Sequence, residues 1–192
     1  MNIYEQLGVK TVINAWGTVT KIGGSVMAPE VLQAMAEAGK YHVEVSALHG
    51  AAGRHIAGLL GSQGCCITCG AAAGIAIATA ACITRDDPAK RLGLPDTRGV
   101  ADEVLMLKSH RILYDQALGL SGARVTEVGV TSFAMAAQVE AAISDRTAMF
   151  FYVAEAEPLR GSIPLPEILP LLKARGIPVL VDAAAELPPK AN

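Results

Sequence analysis

Thr68-Cys69-Gly70-Ala71-Ala72-Ala73-Gly74 is the stretch on which the reading of this chain turns. Ahead of it, Cys65-Cys66-Ile67 is a short apolar run that reads as the end of a buried strand. Behind it, residues 75–83 are too long and too rich in alanine for a strand, and read as a buried helix. The order is strand, small-residue turn, helix. Free backbone N–H groups and the helix dipole favour an anion at such a helix start, and small side chains let a phosphate approach the backbone. Residues 69–73 therefore have two readings. One is a phosphate cradle; the other is small residues placed only for close packing of helix on sheet. The spacing is neither a Walker loop nor a dinucleotide fingerprint.

Working outward, strand and helix signals alternate. Residues 103–108, 124–128, 147–153 and 177–182 read as strands. The third is apolar throughout, as expected of a central strand covered on both faces. Pro29 and Glu30 start a helix to about Tyr41, and a Gly-rich segment at 48–55 leads into a helix ending near Gly61. Ser109-His110-Arg111 leads into a helix to about Leu120, Thr131 or Ser132 caps a helix through Ile143, and residues 166–175 form another, closed by Gly176. Residues 1–8 read as a short helix or arm, 11–20 as β-prone, and 86–99 as a loop.

This alternation predicts an α/β fold, three-layer α/β/α with a mainly parallel sheet. Right-handed crossovers put the C-terminal ends of the strands on one edge, where open α/β sheets bind ligands. The candidate groups fall there: the stretch at 69–73, His110, Glu155, Glu157 and Asp182. The expected division is an N-terminal arm and helix at 1–45 and a larger domain at 46–192.

Composition narrows the classes. Apolar residues make up 52% of the 192 and charged residues 18%, which excludes a disordered chain. Net charge is −2 with no basic block, so nothing electrostatic points to nucleic acid. No apolar run is fit to span a membrane, and the N-terminus lacks the pattern of a signal peptide, so a cytoplasmic protein is the default expectation. Cys66 and Cys69 form a C-x-x-C, but no second ligand pair follows and no metal site is expected. Packing is the main reading of the cysteines, with a redox pair beside it. Arg54 has the planar fork that holds a carboxylate or phosphate, and also suits a solvated helix start.

Thr68-Cys69-Gly70-Ala71-Ala72, Ser109-His110 and residues 178–184 together resemble the large domain of fold-type I pyridoxal-phosphate enzymes. More narrowly, residues 12–18 and 181–189 resemble the bacterial selenocysteine synthase-like group, which includes L-seryl-tRNA selenium transferases and amino-sugar-acid ammonia-lyases. The resemblance covers nearly the whole chain. It implies pyridoxal 5'-phosphate as cofactor, and an incomplete aminotransferase-like large domain. Gly70, Ala71 and Ala72 would hold its phosphate, His110 would stack on one face of the ring, and Ala184 would pack on the other. Asp182 would keep the ring nitrogen protonated, which makes the ring an electron sink. Asn14 and Arg54 would reach substrate.

The resemblance also implies a Schiff-base lysine some tens of residues beyond Asp182. Lys190 is too close and follows Pro188-Pro189, so the catalytic lysine is not assigned within this chain. The expectation is a chain cut before that lysine and inactive by itself, from a homo-oligomer acting on a small molecule. The match begins near Met1 and the charge is slightly negative, so elimination chemistry on a small amino acid or amino-sugar acid is favoured. Seryl-tRNA selenium transfer and a non-catalytic phosphate-binding remnant are the alternatives. A nucleotide-binding doubly wound domain would want Gly-x-Gly-x-x-Gly, which is absent.

Overall fold

A computed structural model describes residues 2–186. The chain divides into two units, Met1–Ala52 and Gly53–Asn192, and each is described by itself.

The first unit holds helix α1 (Ile3–Gln6), α2 (Pro29–Ala38) and the start of α3 (Val45–Leu60). None of its described residues is buried. The β-prone segment 11–20 forms no strand. β-branched residues need a partner strand to pack beside, and this unit supplies only an isolated antiparallel bridge, Val19 to Gly24, around a 3-10 turn at Thr20–Ile22. The Gly-rich segment at 48–55 does not merely lead into its helix. It lies inside α3, whose start is held by the Glu44 carboxylate, which accepts the N–H of Ser46 at 3.2 Å and of Ala47 at 2.7 Å.

The second unit is built on a parallel sheet in the order β2-β1-β3-β4, with β1 Glu103–Leu107, β2 Arg124–Val128, β3 Thr147–Val153 and β4 Val179–Asp182. Alternation along the strands sorts the core. Val104, Met106, Met149, Phe151 and Val153 face one side, packed with Ile75 of α4 (Ala71–Thr84) and with Ala117 and Leu118 of α6 (Gln116–Gly119). Leu105, Leu107, Phe150 and Tyr152 face the other, with Val139 of α7 (Ala136–Ala142) and Ile168 and Leu172 of α8 (Leu165–Ala174). These are the three layers expected. Every residue of β3 is buried, as its unbroken apolar run demands.

Three local expectations are corrected. Residues 65–67 form no strand, because the sheet of the described residues ends at β4. The loop at 86–99 contains a short helix, α5 (Pro88–Gly93), capped by Asp87, whose Oδ1 accepts the N–H of Ala89 and Lys90. α7 starts later than Thr131 or Ser132. Met135 takes the cap position, and its N–H donates to Oε1 of Gln138 at 2.9 Å.

At the N-terminal edge of the sheet Asp102 is 3% exposed. Its carboxylate accepts from Thr97 Oγ1 at 2.9 Å, Arg124 at 3.2 Å and Arg146 at 2.5 Å. One buried charge thereby joins β1, β2 and the turn into β3.

Candidate functional site

α4 begins without a side-chain cap. Its cap residue, Gly70, has φ 143°, a backbone shape that L side chains rarely adopt. The N–H of Gly74 closes the first helical bond on the Gly70 carbonyl at 3.0 Å, which leaves the N–H groups of Ala71, Ala72 and Ala73 outside the helical ladder. Thr68 Oγ1 donates to the same carbonyl at 2.9 Å and fixes the approach to the helix.

A cleft of about 550 Å³ runs along this helix. Ala71, Gly74, Ile75, Ala78 and Ala81 recur at three- and four-residue steps and form one wall. Leu180 to Ala184, at the end of β4, form the other, and Cys66 and Thr68 stand at the approach. The walls are mostly apolar, and Asp182 is the one carboxylate among the lining residues. Its Oδ1 accepts the N–H of Ala184 at 3.1 Å, and its other oxygen has no partner among the described residues. The cleft therefore offers anion-binding N–H groups on one wall and a half-buried anion on the other.

The structure thus brings Ala71, Asp182 and Ala184 to one cleft, beside the Gly70 cap and Ala72 of the first turn. It places His110 elsewhere. The imidazole follows β1, is 0% exposed and does not line the cleft. The Val153 N–H donates to its Nδ1 at 3.1 Å, so Nδ1 must accept and the proton sits on Nε2, 2.8 Å from Ser162 Oγ. Burial pulls the His110 pKa down to about 4, against a smaller upward pull from Glu157, and holds the ring neutral. Its ring meets Tyr152 edge-on at 4.5 Å. The Tyr152 hydroxyl donates to Glu157 at 2.8 Å and lies 3.1 Å from the Ile163 carbonyl. Burial, then Glu157, push this phenol up to about 12.

Instead of presenting a free face, His110 is tied into a filled polar centre joining the ends of β1 and β3. Tyr152 and Ser162 are its other members. No spacing in the sequence announced them, because the centre is assembled by strands that are neighbours only in the sheet.

Asn14 is engaged in its own turn: Oδ1 accepts the N–H of Trp16 at 2.9 Å and of Gly17 at 3.2 Å, and Nδ2 donates to the Gly17 carbonyl at 2.7 Å. It belongs to the unit ending at Ala52. Arg54 is exposed on α3 and does not line the cleft. Glu155 is exposed after β3. Lys190 and Pro188-Pro189 lie outside the described residues. Among the described residues no cluster of histidine, cysteine and acidic side chains is arranged to hold a metal, and no helix is long and apolar enough to cross a membrane.

A larger hollow of about 670 Å³ lies at the opposite edge, around Arg98, Arg124 and Arg146. Arg124 and Arg146 are paired with Asp102 and tie the strands together, and Arg98 is paired with Asp96 in the loop, so its cations already have partners.

No family model matches the chain. It is 42% identical over 190 residues to a D-glucosaminate-6-phosphate ammonia lyase of Salmonella typhimurium (strain 14028s / SGSC 2262), covering 96% of this chain and 52% of that protein. It is 36% identical over 190 residues to a 5'-C-glycyluridine monooxygenase-decarboxylase of Streptomyces sp, covering 95% of this chain and 48% of that protein. A solved structure of a D-glucosaminate-6-phosphate ammonia-lyase superposes with a TM-score of 0.92 at 41% identity, over 97% of this chain and 52% of that one. The chain spans about half the length of these relatives.

Proposed function

We propose that this chain carries the cofactor-holding part of a pyridoxal-phosphate-dependent ammonia-lyase that acts on a phosphorylated amino-sugar acid. The observation that carries the reading is the cleft with the uncapped start of α4 on one wall and Asp182 on the other. The residues fit the group. The N–H groups of Ala71, Ala72 and Ala73 suit a phosphate, and the half-buried Asp182 carboxylate, with one oxygen unpartnered, suits a protonated ring nitrogen. Ala184 and Ile75 supply apolar surface for a flat ring. When bound, pyridoxal 5'-phosphate supplies an electron sink for charge developing beside a substrate amine.

This chain's own part is to bind and orient. α4 fixes an anion, Asp182 fixes a proton on its partner nitrogen, and the neutral, fully bonded His110 holds the ends of β1 and β3 together. With both ring nitrogens engaged, His110 is not assigned proton transfer. The two relatives bear names of different reactions yet match this chain over nearly all its length. The shared stretch is read here as the ligand-holding part, and the lyase reading rests on the higher identity and on the structural match. A homo-oligomer belongs to this reading through the resemblance, as does a small-molecule substrate.

Binding tests the reading directly. Pyridoxal 5'-phosphate titrated into the chain is expected to bind, with inorganic phosphate competing and Asp182→Asn changing the absorption of the bound cofactor. The reaction is tested by ammonia release from D-glucosaminate 6-phosphate, with the protein at the length its gene encodes. No cofactor binding in the first experiment and no ammonia in the second would overturn the proposal.

A further inference from the structure

The hollow at the N-terminal edge of the sheet shares no lining residue with the cleft, and its ion pairs do not exhaust its chemistry. A guanidinium carries five N–H bonds in a planar fork. Arg124 and Arg146 each spend one of them on Oδ1 of Asp102, at 3.2 Å and 2.5 Å. Among the described residues the one further ion pair of either side chain is from Nε of Arg146, 3.6 Å from Oε1 of Glu103. Both side chains line the hollow, 57% and 49% exposed. Asp102 itself is 3% exposed and also accepts from Thr97 Oγ1. One buried carboxylate thus holds two forks side by side, because both reach the same oxygen, and leaves most of their donors unspent. A ligand carboxylate accepts from such forks in parallel bonds, and groups already held in place lose little freedom on binding.

Charge decides what kind of ligand fits. Arg98, Arg124 and Arg146 line the hollow with Asp102 and Asp145, and Asp96 and Glu103 stand behind as partners of Arg98 and Arg146. Three positive charges therefore meet four negative ones, and a simple anion gains nothing from the net field. Asp145 is the unspent acid: its carboxylate has no hydrogen bond or ion pair among the described residues. Spare N–H donors and a spare carboxylate in one hollow are the complement of a zwitterion. The volume, about 670 Å³, is that of a small-molecule site.

We propose that this hollow binds a small zwitterionic amino acid, with its carboxylate on the Arg124 and Arg146 guanidiniums and its ammonium on Asp145. The site lies at the other end of the strands from the cleft and does not depend on the cofactor reading.

The test is an NMR titration of the whole 192-residue chain, labelled with nitrogen-15, with glycine, β-alanine and γ-aminobutyrate. The three hold the ammonium at increasing distance from the carboxylate. Saturable shifts are expected at the backbone amides of 97–102 and 144–147 with at least one of them, and not at 69–74. Acetate and ethylamine carry one charge each and should bind roughly tenfold more weakly, since each forfeits a charge-assisted contact. Arg146→Lys keeps a positive partner for Asp102 but loses the fork, and should weaken binding roughly tenfold. Asp145→Asn removes no existing contact, so its amide spectrum should match the parent, while amino-acid binding falls roughly tenfold, to the level of acetate. No saturable shift with any of the three, shifts confined to 69–74, or acetate binding as tightly as the amino acid overturns the proposal. An Asp145→Asn protein that binds the amino acid as the parent does overturns it too.

Discussion

Two polar regions at the C-terminal edge of the sheet differ in how far their hydrogen bonds are filled. Around His110 the ring and the phenol are bonded: Val153 and Ser162 take the two ring nitrogens, and Glu157 takes the Tyr152 hydroxyl. Along α4 and β4, three helix-start N–H groups and one oxygen of Asp182 are left without a partner among the described residues. A filled buried network resists change, because each deletion strands a partner. An unfilled one has capacity for a ligand. The comparison teaches that the fully buried group, with both ring nitrogens bonded, holds the fold, whereas the half-exposed carboxylate in the open cleft has room for a partner.

Acid should break the filled region first. His110 titrates near 4 when folded and near its ordinary 6.5 when unfolded, so below pH 6.5 the unfolded chain takes up the proton first. Stability present above pH 6.5 is lost as the pH falls through 4, by about 3 kcal/mol for a shift of this size. Denaturant melts from pH 7.5 to 4 measure the slope, and His110→Gln should flatten it. Parallel slopes for the two proteins would mean that the ring is not held neutral.

Next in size is the close approach at Gly53. Gly53→Ala places a methyl 2.4 Å from the Cys65 carbonyl oxygen and should destabilise by about 1–3 kcal/mol, despite alanine's better helix propensity. Gly58→Ala in the same helix meets nothing within 4 Å and should stabilise by up to about 1 kcal/mol. Equal effects at the two sites would show that 65–67 is free to move away, leaving the approach to the cleft without its anchor.

Ser162→Ala removes the acceptor of the His110 proton and should lower stability by about 1–2 kcal/mol while leaving phosphate binding intact. The smallest stability effect is expected at Asp182→Asn, within about 0.5 kcal/mol of the parent, because the carboxylate holds one backbone N–H and is half-exposed. Its effect should appear in cofactor absorption instead. A large loss of stability at Asp182 with none at Ser162 would reverse the comparison between the two regions.

Much of this was legible in the order of residues. The unbroken apolar run of 147–153 fixed a central strand, and the alternation of strand and helix signals fixed the three layers. Asp182 at a strand end and the small residues of 70–72 before a helix pointed to one edge of the sheet. Local misreadings came from segments whose fate depends on partners. Residues 65–67 and 11–20 have strand composition, yet among the described residues of their own unit no strand pairs with them. The Gly-rich 48–55 is helical because Glu44 caps its start and Gly53 meets the Cys65 backbone.

What the chain determined by itself is local and periodic: propensity, alternation, and the small residues that let α4 begin uncapped. What only the tertiary structure decided is which polar groups meet. His110 and Asp182 look alike in sequence, each a polar residue at or just beyond the end of an apolar strand. Pairing β1 with β3 fills every bond of the first, whereas β4 at the edge of the sheet leaves the second open. Strand order is a long-range outcome of packing both faces at once, and no run of neighbouring residues encodes it.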